Sequence, residues 1–124
     1  AAARLAPGEE TELEGLLQRM EKALQARDGV VYGVLNIEFH RVLMSATRNP
    51  RLIEVNESVE SELQLYLRKG VYSVSQMHDS HEEHRRLFEA VRNGRVHEAA
   101  EAFESHILTG KQRMLDTMTR GGER

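Results

Sequence analysis

The stretch VVYGVLNIEFHRVLMSATRNP, residues 30–50, decides the fold. Its β-branched residues do not alternate with polar ones over a strand's length. Its charged residues Glu38, Arg41 and Arg48 instead mark one side of a helical wheel. The pattern predicts a helix over roughly 30–47. On that helix Asn36 and His40 are four apart and share a face. Leu43 flanks them on one side, Ile37 and Met44 on the other, and Thr47 lies on the same line. A polar stripe bordered by apolar residues points to a lined cavity; the alternative is the exposed polar edge of an amphipathic helix.

Working outward, Asn49-Pro50 reads as N-cap and first residue of the next helix. That helix keeps Leu52, Val55, Val59, Leu63 and Tyr66 on one stripe as far as Gly70. Upstream, Leu13, Leu16, Leu17, Met20 and Leu24 define a helix over roughly 8–27, closed by Asp28-Gly29. Residues 71–79 read as a polar loop. Ser80 and Glu83 have capping-box spacing, which starts a fourth helix near residue 80 and runs it to Asn93-Gly94. A fifth extends from about 95 to Gly121-Gly122, with Val96, Ala100, Phe103, Ile107 and Met114 as its apolar stripe. The expectation is an all-α antiparallel bundle of about five to six helices forming a single domain, with residues 1–6 the tail of an earlier helix.

Composition narrows the function. The 124 residues suffice for one core, and a net charge of −3 offers no basic surface for nucleic acid or anionic lipid. The absence of cysteine excludes disulfides and thiolate metal sites and fits a reducing, cytoplasmic setting. No apolar run approaches the ~20 residues of a membrane span. The chain opens on AAARLA without an initiator methionine and is read as a fragment.

Half of the six histidines lie in MHDSHEEHRRLFEAV, residues 77–91. With a helix beginning near residue 80, His78 falls in the loop, His81 sits half exposed at an edge, and His84 points at the buried face set by Leu87, Phe88, Ala90 and Val91. Histidines three apart exclude the H-E-x-x-H metalloprotease pattern, and no paired Glu-x-x-His motif supports a di-iron bundle. A buried imidazole without partners costs about 1–3 kcal/mol, so His84 needs company. His40 supplies it from the second helix and His106 from the flank of the fifth, with Arg113 two turns beyond; His97 points to solvent. Three inward histidines and the Asn36 amide fit a divalent metal site in a bundle core.

NIEFHRVLMSATRNPRL (36–52) and EEHRRLFEAVRNGRVHEAAEAFESHI (82–107) resemble the FCD-type ligand-binding domain of GntR-family bacterial transcription regulators, in the FadR-like branch. The resemblance covers residues 5 to 118. It rests on Asn36, Phe39-His40, Leu43, Asn49, Glu83-His84, Ala90, Gly94, Ala99-Ala100 and His106. It implies an effector sensor, a homodimer, and a winged-helix DNA-binding domain ahead of residue 1, with the first bundle helix missing from the fragment. Metal-binding members hold a divalent ion, here zinc or nickel, through an Asp and three histidines, and an organic acid completes the coordination. His40, His84 and His106 match; Asn36 stands where the family has Asp, so an ion on these neutral ligands is expected to favour a small carboxylate effector, with Arg113 and Thr47 as its further contacts. A hydrolytic zinc enzyme and a ligand-free dimerisation module are the competing readings. Glu83, next to His84, and Glu38, off the Asn36/His40 line, both point away from the site on the wheel and are poor candidates for a general base.

Overall fold

The computed structural model describes residues 5–69 and 74–122, which form five helices and no strand. They are α1 (Pro7–Gln25), α2 (Gly29–Thr47), α3 (Pro50–Lys69), α4 (Val74–Arg92) and α5 (Val96–Gly122). Each start and stop has a local cause. Pro7 occupies the first turn of α1, where a missing N–H costs nothing, and Glu9 accepts from the Ala6 N–H at 2.9 Å. At the other end Arg27 turns left-handed (φ 57°), and the Asp28 N–H reaches back to the Ala23 carbonyl at 2.9 Å. The Asp28 carboxylate then caps α2 through the Val31 N–H. Arg48, also left-handed, ends α2, and Asn49 caps α3 by accepting from Arg51 and Leu52. Gly94 (φ 74°) closes α4 with the paired bonds of a Schellman turn, Gly94 to Val91 and Arg95 to Ala90.

Short connectors turn α1, α2 and α3 back on one another. α2 is apolar almost all round, as suits a helix covered on several sides, and it packs against α1, α3 and α4. Leu13, Met20, Tyr32, Phe39, Leu43, Leu87 and Phe103 form the centre of the core. The central helix therefore carries Asn36 and His40 into the interior.

Two expectations are corrected. α4 starts at Val74, not near residue 80, so Ser80 and Glu83 lie inside the helix and His78 belongs to it, exposed. Met77, buried in the core, anchors these early turns. The Glu83 carboxylate bonds across to α5, so the capping-box spacing is coincidental. His81 is not on the surface but 2% exposed, because α1 covers that side of α4. Its ring meets Tyr32 edge-on, and its Nε2 lies 2.7 Å from Glu21 Oε2. In α5, Phe103 is fully buried and Ala100 and Ile107 are half-buried. The side chains of Val96 and Met114 lie outside the described residues, as do residues 1–4 of the expected N-terminal tail and 70–73 around the expected loop; Leu5 and Ala6 are not helical. Among the described residues no helix is long and apolar enough to cross a membrane.

Candidate metal centre

His40 from α2, His84 from α4 and His106 from α5 meet in the core. His40 Nε2 lies 3.0 Å from His84 Nε2 and 3.1 Å from His106 Nε2. Exposures are 2%, 0% and 6%, so water does not solvate the cluster freely. The rings stand edge to face with centroids 4.7–5.1 Å apart, and Phe39 and Phe103 wall them in.

The outer ring nitrogens show which tautomers the site prefers. His106 Nδ1 is 2.8 Å from Glu83 Oε1. A carboxylate only accepts, so Nδ1 carries the proton and a neutral His106 turns its Nε2 lone pair inward. His84 Nδ1 is 3.2 Å from the Tyr32 hydroxyl, which can accept from it. Burial first, then the neighbouring charge of His106, holds His40 and His84 well below the ordinary imidazole value. Both are neutral near pH 7. Glu83 is the charged support. Burial alone would raise its pKa, but hydrogen bonds from His106 and Arg113 bring it down to about 2. Arg113 grips it with two nitrogens, at 2.9 and 2.7 Å.

This arrangement fits a divalent transition ion. Three imidazole nitrogens lie within 4.8 Å of one another, and His40 Nε2 stands from the other two at separations close to those of neighbouring nitrogens each about 2.0–2.1 Å from one ion. A carboxylate behind one histidine and a phenol behind another are the usual supports that orient such ligands. His40 Nδ1 and Asn36 Oδ1 are among the buried polar atoms that lack a protein hydrogen-bond partner. Asn36 lines the same small cavity as His40 and His106, so its oxygen is an available neutral donor.

Of the residues singled out in the sequence, Asn36, His40, His84, His106 and Arg113 come together. Arg113 lines the cavity, but its guanidinium is committed to Glu83. Thr47 does not join them. It lies about 10 Å along the axis from His40 by helical rise, accepts from the Asn49 N–H, and donates to the Met44 carbonyl. Sequence reasoning missed two supports. Tyr32 precedes Asn36 by four and His40 by eight, so the helical line that found those two could have found it as well. Glu83 points away from the site on its own wheel, and only the position of α5 gives it a role.

A helical bundle that closes a polar site inside its core, beside a small cavity, is a ligand-binding module. The chain belongs to the FCD domain family, whose model matches residues 1–109. FCD domains are regulatory, effector-binding domains, as the resemblance implied. No curated protein and no solved structure matches the chain.

Proposed function

We propose that this chain is the ligand-sensing domain of a GntR-type transcription regulator, and that His40, His84, His106 and Asn36 hold a divalent transition ion, zinc or nickel, at which a small organic acid binds. The observation that carries the reading is the convergence of three buried Nε2 atoms from three helices, one of them oriented by Glu83. When bound, the ion would supply concentrated positive charge in a poorly solvated cavity, which favours a carboxylate. The protein keeps that charge uncompensated, because Asn36 adds an oxygen without a negative charge. Arg113 lines the cavity wall, where Glu83 holds it in place and balances its charge.

In this reading the triad ties α2, α4 and α5 together, and effector binding biases how the bundle presents DNA-binding domains that precede it. A homodimer on a two-fold operator is the natural assembly, inside the cytoplasm where such regulators act. The hydrolase alternative gains no support: Glu83, the carboxylate beside the triad, has both oxygens engaged by His106 and Arg113.

Elemental analysis of the purified chain tests the reading. About one divalent ion per chain is expected, with loss of the ion in folded His84→Ala and His106→Ala variants. Metal content unchanged by both substitutions would overturn it.

A further inference from the structure

The cavity beside the triad has a second charged feature at its mouth. Its volume is only about 40 Å³, room for two or three waters. That space accepts the head of a ligand; the half-exposed lining residues Glu62 of α3 and Lys111 of α5 mark where the body would pass out, between two helices that pack sparsely against each other. Val59 and Leu63 from α3 and Ile107 from α5 make that passage apolar. Gly110 lies on it one turn beyond His106, and a Cβ added there would meet nothing within 4 Å. The missing side chain leaves the passage open.

At the outer end Lys111 Nζ faces Glu62 Oε1 across the mouth at 3.5 Å, with both side chains about half exposed, 50% and 43%. The two cations of the lining are thus held very differently. Arg113 makes two short bonds to a half-buried carboxylate, whereas Lys111 makes one long contact in solvent, an interaction of little net strength. Lys111 can change partner at small cost. Glu62 loses little on release, because water reaches it.

We propose that the cavity reads a two-headed acid: one carboxylate enters toward His40 and His106, the chain lies over Gly110, and the second carboxylate takes Lys111 from Glu62. The proposal rests on the metal-anchored reading above and adds the class of acid and the residue that selects it. Lys111 is about 7.5 Å along α5 from His106, a span that separates the two heads and leaves an apolar stretch between them.

Calorimetric titration of the zinc-loaded chain with glutarate and with pentanoate, equal in carbon number, tests this. Glutarate should bind about two- to fivefold more tightly, the size of one exposed ion pair. Lys111→Met should abolish the difference and leave pentanoate unchanged. Glu62→Gln should widen it, by removing both the competitor and the repulsion at the mouth. Lys69→Met, which removes an exposed charge outside the cavity lining, should leave it intact. A preference that survives Lys111→Met, or falls equally in Lys69→Met, overturns the proposal. So does equal binding of the two acids; if both are then lost on chelation, the metal-anchored reading stands without it. If neither acid binds the zinc-loaded chain, or binding survives chelation, that reading fails and takes the proposal with it.

Discussion

Glu83 fixes the tautomer of His106: its Oε1 lies 2.8 Å from Nδ1, so a neutral ring presents its Nε2 lone pair to His40 and His84. The same carboxylate clamps Arg113, which makes Glu83 the joint between the histidine cluster and the cavity wall. Glu83→Gln should keep the fold, because an amide oxygen still accepts from Nδ1. It loses the charge that raises ligand basicity and pairs with Arg113. Zinc affinity measured by chelator competition should fall by ~10–100-fold. An unchanged affinity would mean that the carboxylate does not support the triad.

Acid should unfold the metal-free chain in two stages. Burial holds His40 and His84 well below 6.5, and His81 is lowered for the same reason. A folded pKa below the unfolded value means that the unfolded chain binds more protons in acid, so stability rises with pH. The histidine contribution is complete above pH 6.5 and is lost as pH falls below it. Glu83, at about 2 against 4.5, contributes fully above pH 4.5 and loses that contribution as pH falls toward 2. Melting curves in chelator should show both declines, and His84→Gln should flatten the first. A Tm that stays level between about pH 7 and 5 would contradict the assignment.

Asn36→Asp separates the roles of ion and effector. The added negative charge should tighten metal binding and weaken the response to acids. In the native metal-loaded chain, a carboxylate at a hundred times its Kd adds ~2.7 kcal/mol, enough to raise Tm by several degrees. That shift should shrink in the Asp variant and vanish on chelation. Equal stabilisation by a neutral sugar would point to a site that does not read charge.

Gly110→Ala should stabilise the empty protein. Glycine within a helix costs about 1 kcal/mol relative to alanine, and the new methyl meets open space. A Tm gain of a few degrees is expected from calorimetry. Gly110→Leu should instead fill the passage and weaken acid binding without displacing the ion, as a titration of each would show.

Much of the bundle was legible because its signals are local. Asp28, Asn49 and Gly94 mark breaks through side-chain caps or a left-handed turn, and the leucine spacing of α1 has no competing reading. Asn36, His40, His84 and His106 could be found because each lies on or beside an apolar stripe of its own helix. What failed depended on neighbouring helices. His81 looked half exposed because its cover comes from α1, more than fifty positions earlier, and Glu83 looked like a cap because α5 was not yet beside it. Thr47 shares the polar line of α2 but lies too far along the axis, a limit that angular position alone does not express.

The partners in the triad are distant along the chain: His40 is 44 residues from His84 and 66 from His106. α1, α2 and α3 are joined by connectors of two or three residues and can assemble early through local contacts, while seating α4 and α5 against α2 joins triad partners 44 and 66 residues apart, at a larger entropic cost. The histidine cluster is therefore expected to close late in folding. A nascent or cleaved chain that lacks α5 has two of the three imidazoles and neither Arg113 nor Lys111, so it can neither form the triad nor complete the cavity. In the proposed reading, capture of an ion therefore requires α5 to be in place against α2 and α4.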